Sequence, residues 1–278
     1  MRLLDAAKFF DRNTVNDGYT GAYLFKGQLN LYDDTRRDSE ASERRVLSVA
    51  AGTSAPPRRV VELGGYRYIL GKANPDLFKG SVIRLGYVAQ EAPVLARVRT
   101  LEESCLNAGG FQAWSNQAWL KNSAFTEQSA ELAPQFHLFF SVTENIEVNQ
   151  VIEYGSEVHL VRTFNTGASG IKVVTTEQIA APQFETAAFV KGYDPVSGLF
   201  SGATHSARAL RLRWQSLFEY GEKSTPPFGP DDIQLVVAKV SYTPEPGAQL
   251  TLSDGDYRVS GVREHGNVWV CRCTRVNG

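Results

Sequence analysis

The stretch V-V-E-L-G-G-Y-R-Y-I-L at 60–70 has near copies at two later places in the chain. The second copy is V-I-E-Y-G-S-E-V-H-L-V at 151–161, and the third is L-T-L-S-D-G-D-Y-R-V at 250–259. Alternation of apolar and polar residues with a period of two is typical of a β-strand with one buried face. Glycine at the centre permits the positive φ that a tight hairpin turn needs. Each copy therefore predicts a β-hairpin, and the turn residues are Gly64, Gly65, Gly155, Asp254 and Gly255.

A second loop and another strand follow each copy. The loops are N-P-D-L-F-K-G, N-T-G-A-S-G and R-E-H-G, and the strands after them are S-V-I-R-L-G-Y-V, I-K-V-V-T-T and N-V-W-V-C-R-C. Glycine hairpins occur in any β protein, but the close agreement of the first two copies favours an internal repeat. A repeated β-meander builds small barrels or sandwiches. We therefore expect a mainly β fold of repeated small β-barrel or β-sandwich modules with a few short helices.

Helical patterns occur in two places. Residues 2–12 have apolar side chains at near-helical spacing, and residues 98–134 contain few β-branched residues. Residues 207–218 fit either a strand or a helix, and we favour a strand for their first half. These patterns divide the chain into three parts. The expected domains are an N-terminal β module with a short leading helix at 1–97, a central helix-containing segment and β module at 98–200, and a C-terminal β module at 201–278.

Composition and charge exclude several classes of function. The 278 residues carry 29 Lys+Arg and 30 Asp+Glu, a formal net charge of -1. A general nucleic-acid binder normally shows a basic excess, so we expect no sequence-specific nucleic-acid binding. Asp5, Lys8 and Asp11 interrupt any apolar signal-peptide core, and no apolar run approaches the roughly 20 residues of a membrane helix. Three scattered cysteines do not form a disulfide framework, which favours a reducing cytoplasm as the place of assembly.

The segment Asp33–Arg45 contains charges of both signs and, apart from Ala41, no apolar residue. It lacks side chains to bury in a core. The pattern predicts either an exposed loop or a polar arm that contacts a neighbouring subunit. The candidate contact residues are Asp33, Asp34, Arg36, Arg37, Arg44 and Arg45.

Metal binding is not favoured. Cys271 and Cys273 are two apart in a strand, so both thiols point to one face. A zinc site needs four ligands, and His265 alone lies nearby. Two small buried apolar residues are the favoured interpretation.

Catalytic motifs do not stand out either. His137 and His159 lie in alternating strands, which predicts half-buried strand residues. No G-x-S-x-G elbow, P-loop or dinucleotide-binding motif is present. Carboxylate pairs leave no sequence signature, and Asp33-Asp34 and Asp231-Asp232 fit solvated turns. We expect no catalytic, cofactor-binding or metal-binding residues, and we expect the protein not to be an enzyme.

Aromatic residues cluster in the central segment. Trp114 and Trp119, with Phe111 and Phe125, fit either an aromatic platform for sugar or packing in a core or interface, which we favour.

The order of short helix, strand, glycine turn, tyrosine and second glycine loop resembles the β-barrel modules of tailed-bacteriophage head–tail connector and tail proteins. V-V-E-L-G-G-Y-R-Y-I-L-G, V-I-E-Y-G-S-E-V-H-L-V-R and L-S-D-G-D-Y-R-V-S-G-V-R carry the resemblance, which covers about half of the chain. Many head-closure proteins are a single module, whereas this chain contains several. The resemblance implies a virion structural protein, assembled in the host cytoplasm, that forms ring-shaped homo-oligomers with neighbouring virion proteins as partners. It supplies no catalytic residues.

Two other classes remain open. The first is a carbohydrate- or receptor-binding β protein, which exposed aromatic side chains on one sheet face would favour. The second is a β-rich hydrolase with a carboxylate site that its sequence does not reveal.

Overall fold

A computed structural model describes residues 13–31, 45–78, 81–106, 117–122, 135–181, 183–192, 196, 200, 202–213 and 232–276. These residues form strands β1–β18 and one short helix, α1, at Leu101–Leu106. No helix among them is long and apolar enough to cross a membrane. The mainly β fold predicted from the repeated hairpins is confirmed.

The strands form three closed six-stranded barrels. The first contains β1 Asn13–Asp17, β2 Tyr23–Leu31, β3 Arg45–Ala50, β4 Val60–Leu63, β5 Tyr66–Phe78 and β6 Ser81–Glu91. The second contains β7 Val94–Arg99, β8 Gln117–Asn122, β9 Gln135–Ser141, β10 Val151–Tyr154, β11 Glu157–Thr166 and β12 Ile171–Gln178. The third contains β13 Phe184–Val190, β14 Thr204–Arg213, β15 Ile233–Ala238, β16 Gln249–Leu252, β17 Gly255–His265 and β18 Val268–Arg275.

All three barrels share one topology. Around each barrel the strands follow the order first, second, third, sixth, fifth, fourth, and the fourth strand pairs with the first to close the circle. Every paired neighbour is antiparallel. Closure leaves no unpaired sheet edge. The repeat seen in the sequence is therefore a threefold repeat of a whole barrel.

The three sequence copies are the hairpins between the fourth and fifth strands. Leu63 lies opposite Tyr66, so Gly64-Gly65 is a two-residue turn, and both glycines have positive φ (61° and 84°). Gly155, with φ 56°, begins the corresponding turn of the second barrel. In the third barrel the turn residues are Ser253-Asp254, and Gly255 is the first residue of β17.

Alternate residues of each hairpin fill the interior of their own barrel. The first barrel core contains Val61, Leu63, Tyr68 and Leu70 from its hairpin. The second contains Ile152, Tyr154 and Val161, and the third contains Leu250, Leu252, Tyr257 and Val259. The three interiors are thus packed by equivalent side chains.

The domain boundaries differ from those expected. β6 ends at Glu91 and β7 begins at Val94, so the expected boundary at 97/98 lies inside β7. The expected boundary at 200/201 separates β13 from the rest of the third barrel, which begins at Phe184. The barrels follow each other with linkers too short to show as a change in composition.

Two element predictions also need correction. The helical pattern at 98–134 holds for Leu101–Leu106, but Gln117–Asn122 is the strand β8. The sequence N-P-D-L-F, expected in a loop, belongs to β5, whose two register shifts accommodate it. The strand favoured for the first half of 207–218 is present as β14. The helix predicted at 2–12 lies outside the described residues.

Candidate functional site: the junctions between barrels

The first and second barrels share a buried apolar junction. Its cluster combines first-barrel residues with Phe139 and Ile171 of the second barrel, and Trp119 and Val173 pack against it. The first-barrel residues are Val60, Ile69, Val88 and Ala92. Because strand residues alternate in direction, Val60 and Ile69 point outward while Val61 and Leu70 point into the barrel. The outward face of the first hairpin therefore holds the second barrel.

A cluster of three polar residues, Tyr19, Arg58 and Glu144, lies at this junction; we call it the junction cluster. Arg58 Nη2 lies 2.7 Å from Glu144 Oε2 and also donates to the Gln117 carbonyl at 2.5 Å. The Tyr19 hydroxyl donates to Glu144 Oε1 at 2.8 Å, and the Arg58 guanidinium lies 3.6 Å from the centre of the Tyr19 ring. Tyr19 and Arg58 belong to the first barrel and Glu144 to the second, so the cluster joins the two.

The junction cluster is partly shielded from water. Burial, followed by the negative charge of Glu144, raises the pKa of Tyr19 well above its ordinary value. Lys172 donates to the Glu144 carbonyl oxygen, and burial lowers the pKa of Lys172. The Glu144 side chain is buried and the Arg58 side chain is partly buried, so removal of Arg58 leaves a buried charge without its partner. The cluster is therefore suited to holding two barrels in a fixed orientation.

Backbone contacts bring the two barrels still closer. The Lys72 amide donates to the Ser169 carbonyl at 2.6 Å. A Cβ atom on Gly71 would lie 2.1 Å from that same carbonyl oxygen. A Cβ atom on Gly170, which has φ 74°, would lie 2.8 Å from the Lys72 amide nitrogen. Glycine is required at Gly71 because the loop between β11 and β12 lies directly on β5.

The second junction joins the second and third barrels through a larger apolar cluster. The second barrel contributes the outward face of its hairpin and the residue after β12, and α1 packs in the same cluster. The residues of the second barrel are Val151, Val158, Leu160 and Ile179, with Leu101 and Cys105 from α1. Those of the third barrel are Leu210, Leu212, Val236, Ala238, Val268 and Val270.

Hydrogen bonds hold helix α1 in this junction near both ends of the helix. The Thr100 hydroxyl accepts from the Glu103 amide at 3.2 Å, and Glu103 accepts from the Thr100 amide at 2.8 Å. This reciprocal pair is a capping box and accounts for a helix that starts at Leu101. The Cys105 thiol donates to the Val236 carbonyl at 3.2 Å, and burial raises the pKa of Cys105 to about 12.

Both junctions use equivalent positions. Val60 lies opposite Ile69 and Val151 lies opposite Leu160, and these two pairs occupy the same register in their hairpins. The Ala92 amide donates to the Arg67 carbonyl at 2.8 Å, and the Ile179 amide donates to the equivalent Val158 carbonyl, also at 2.8 Å. One packing arrangement therefore occurs twice along the chain.

The third barrel carries a separate group of charges, Glu185, Arg211, Asp254 and Tyr257, which we call the turn cluster. Arg211 lies 2.9 Å from Glu185 and 2.8 Å from Asp254, and the Tyr257 hydroxyl donates to Asp254 at 2.9 Å. The hydrogen bond from Arg211 lowers the pKa of Asp254. Burial opposes ionisation of Glu185, but hydrogen bonds from Ser253 and Arg211 outweigh it and lower its pKa. The turn cluster fixes the third hairpin turn against β13 and β14.

His159 is fully buried, not half-buried as predicted. Its Nε2 lies 3.0 Å from both Tyr154 and Glu157, and its Nδ1 lies 3.1 Å from Thr176. Burial lowers its pKa below the ordinary histidine value. It occupies the hairpin position of Tyr68 and Tyr257, whose hydroxyls are also hydrogen-bonded to residues of their own barrels. The equivalence indicates a structural residue.

Of the predicted contact segment Asp33–Arg45, the structure describes one residue, Arg45. Arg45 donates to the Tyr68 hydroxyl at 3.1 Å, within its own barrel. The other candidate contact residues, Asp33, Asp34, Arg36, Arg37 and Arg44, lie outside the described residues.

Cysteines and histidines do not gather into a metal site in the described part of the chain, where no group of three or more potential ligands occurs. Cys271 and Cys273 are fully buried in the core of the third barrel. Burial raises the pKa of both thiols, that of Cys271 to about 12. His265 instead lies 3.3 Å from Asn149 of the second barrel.

Of the aromatic group, Trp119 is described and lies at the first junction, where the Arg67 guanidinium is 4.2 Å from the centre of its ring. Trp114, Phe111 and Phe125 lie outside the described residues. Of the carboxylate pairs, only Asp232 is described, and it pairs with Arg272 at 3.2 Å.

Sequence reasoning missed both polar clusters. Arg58 and Glu144 are 86 residues apart, and neither lies in a recognisable motif. Gly71 gives a signal for the first junction but for neither polar cluster, since a glycine within a strand indicates a bulge or a close backbone approach.

Comparison with known proteins found no matching family model, no matching curated protein and no matching solved structure.

Proposed function

We propose that this chain is a non-enzymatic structural protein of a tailed-bacteriophage particle, part of the head–tail connector or the tail, and that it assembles as a ring of identical copies. The resemblance of the three hairpin modules to connector and tail barrels supports this proposal. Neighbouring virion proteins are its proposed partners, and the virion is its proposed location.

The observation that carries the proposal is the close packing of successive barrels against each other. Each junction combines a buried apolar cluster with polar contacts, namely Arg58 with Glu144 at the first and Asn267 with Glu102 at the second. An assembly protein presents the same surfaces to each neighbouring copy, so modules packed firmly against each other suit it. The interior of each barrel is filled by its own side chains, which suits a building unit.

The strand connections offer a second support. Consecutive strands alternate in direction, so the connection between second and third strands leaves each barrel at the same end as the two-residue hairpin turn. These connections, at 32–44, 123–134 and 214–232, are far longer than those turns. We propose that these long connections, which recur at equivalent places in the sequence, contact neighbouring copies. Near-zero net charge with both signs suits complementary pairing between copies.

Where the structure describes them, the residues considered for the two alternative functions are engaged in other contacts. Trp119 lies beneath Arg67 at a junction, so it does not belong to an exposed sugar platform. Asp232 is paired with Arg272, which does not resemble a carboxylate poised for hydrolysis.

The direct test is the mass and shape of the purified full-length chain, from light scattering and electron microscopy. We expect closed rings of one defined size. In particles produced from the genome that encodes the chain, antibody labelling should mark the neck or tail. A chain that stays monomeric at all accessible concentrations, and is absent from particles, would contradict the proposal.

A variant pair tests the charged segment. Arg36→Ser with Arg37→Ser should weaken ring formation if this run contacts a neighbour. Lys26→Ser with Arg263→Ser is the matched control, because both side chains are exposed on described strands and their loss removes the same charge. Equal ring formation by both variants would exclude the segment as the contact.

A further inference from the structure

Two surfaces define how the barrels pack. We call the outward side of the fourth and fifth strands, with the residue just after the sixth strand, the leading face of a barrel. We call the outward side of the second, third and sixth strands the receiving face. At each junction the leading face of one barrel packs on the receiving face of the next, and at the first junction Val88 of β6 also joins the cluster. The equivalent positions of all three barrels follow from their strand registers, so the faces can be compared residue by residue.

The leading face has polar residues in the third barrel at positions that are apolar in the first two. Val60 opposite Ile69 and Val151 opposite Leu160 are replaced there by Gln249 opposite Arg258. All four apolar residues are fully buried, whereas Arg258 is exposed.

The residue after the sixth strand changes in the same way. The Val276 amide donates to the Asp256 carbonyl at 2.9 Å, so Val276 is the equivalent of Ala92 and Ile179. It is 44% exposed, against 0% and 5% for those two residues. The structure describes no barrel packed on this face.

The receiving face of the first barrel has different residue types at its centre from those of the later barrels. In the second barrel, Phe139 opposite Val173 forms its centre, and in the third barrel the equivalent pair is Val236 opposite Val270. In the first barrel the equivalent pair is Ser48, which is buried, opposite Gly86. The neighbouring pair Ala50 opposite Arg84 shows the contrast at Arg84 alone, whereas the pair on the other side, Val46 opposite Val88, is apolar in the first barrel. Ile171 and Val268 of the later barrels correspond to Arg84 of the first barrel.

Polar residues at a surface are ordinary in themselves. The contrast here is informative because each compared position is apolar in the barrels where it is covered by a neighbour. In arrays of repeated units, terminal units need a polar outer face to prevent further association. Stacking the third barrel of one copy on the first barrel of another would bring Arg258 and Arg84 into contacts that elsewhere hold only apolar side chains. Burying such charges without compensation is unfavourable.

We infer that the leading face of the third barrel is an end cap and that, together with Arg84 on the receiving face of the first barrel, it confines this packing mode to contacts within one chain. Copies of the chain therefore associate through other surfaces, and not by stacking of the third barrel on a first barrel. The inference concerns the same assembly as the proposed function, but it stands on the register comparison alone.

The test restores the apolar pattern in the full-length chain. Gln249→Val with Arg258→Leu gives the third barrel the pair found in the second, and Arg84→Ile makes the matching change in the first barrel. The control is Thr204→Val with Ser206→Leu, which adds apolar side chains at exposed positions of β14, away from the leading face. Light scattering across a dilution series measures the mass of each variant. Circular dichroism checks that each variant keeps its β structure.

We expect the triple variant to add at least about one further copy to the mass of the wild-type species. That added mass should fall on dilution, and the control should match the wild type. A triple variant with the mass of the wild type would overturn the inference.

A photo-crosslinking residue at position 258 of an otherwise wild-type chain gives an independent measurement, which does not depend on whether the triple variant folds. We expect no crosslink between copies that joins position 258 to the strands containing Ser48 and Arg84. Such a crosslink would overturn the inference.

The outcomes also separate this inference from the proposed function. If the wild type is monomeric and the triple variant associates, the proposed ring is contradicted and the inferred end cap is supported. If the wild type forms a ring whose copies crosslink through position 258, the ring is supported and the end cap is contradicted.

Discussion

Val151 on β10 lies opposite Leu160 on β11, and both side chains point out of the second barrel and into the cluster shared with the third. Their neighbours Ile152 and Val161 point the other way and pack the interior of the second barrel. The repeated hairpin therefore contributes to two cores at once. One set of alternate residues fills its own barrel, and the other set holds the next barrel.

Truncation of a buried side chain at the second junction should lower the free energy of unfolding. Leu160→Ala removes a fully buried side chain and should lower the free energy of unfolding by about 2–5 kcal/mol. Arg258→Ala changes the equivalent position of the third barrel, which is exposed, and should cost less than about 0.5–1 kcal/mol. Denaturant unfolding of both variants provides the measurement. Equal losses would show that the two faces are not different environments.

The sequence predicted the hairpins because alternation and glycine turns are local signals. It could not show which alternate set faces outward, because V-V-E-L and V-I-E-Y carry apolar residues on both faces. The barrel boundaries were missed for a related reason, since Ala92-Pro93 alone separate β6 from β7. Arg58 and Glu144 meet only because two closed barrels pack together, and their spacing along the chain carries no sign of it.

The ion pair at the first junction should show strong coupling. Arg58→Met and Glu144→Gln each remove one partner, and each should cost more than half of what the double variant costs. The reason is that a partly buried charge is left without its partner. A double-mutant cycle should yield a coupling free energy of about 1–3 kcal/mol. Additive losses would mean that the pair does not contribute to the junction.

Close packing at Gly71 makes a second prediction for this junction. Gly71→Ala should separate the loop of the second barrel from β5, because a Cβ atom would lie 2.1 Å from the Ser169 carbonyl oxygen. Gly167→Ala, in that same loop, is the matched control, since its Cβ would meet its nearest neighbours at 3.6 Å. Hydrogen exchange at the Lys72 amide reports the contact. Faster exchange in the Gly71 variant alone is the expected result.

The turn cluster should weaken in acid. The pKa of Asp254 and that of Glu185 are both lowered in the folded protein, so the unfolded chain binds protons first as the pH falls. Stability from these groups is therefore present above their ordinary pKa values near pH 4 and is lost as the pH falls through the lowered ones.

Two variants test this acid dependence. Arg211→Gln removes a shared cause of the lowered pKa values and should flatten the curve below pH 5. It should also cost about 3 kcal/mol at neutral pH, because Glu185 stays buried. Asp254→Asn should remove a smaller part of the slope, since Asp254 is more exposed than Glu185. An unchanged slope in both variants would contradict the assignment. Unfolding measured from pH 2 to pH 7 decides between these results.

Because two thiols are buried, we expect the stability of the fold to fall as the pH rises in the alkaline range. Burial raises the pKa of Cys105 and of Cys271 to about 12, whereas a thiol in the unfolded chain ionises near its ordinary value of about 9. The unfolded chain therefore loses protons first as the pH rises, and the stability from each neutral thiol is lost between those two values. Each thiol contributes at most about 1.4 kcal/mol per pH unit to this decline. Cys271→Ala should make the decline shallower by one such contribution, and should also cost about 1 kcal/mol at neutral pH from the cavity it leaves. Denaturant unfolding of the wild type and the variant from pH 8 to pH 11 gives both slopes, and parallel curves would show that the Cys271 thiol ionises as readily in the folded barrel as in the unfolded chain.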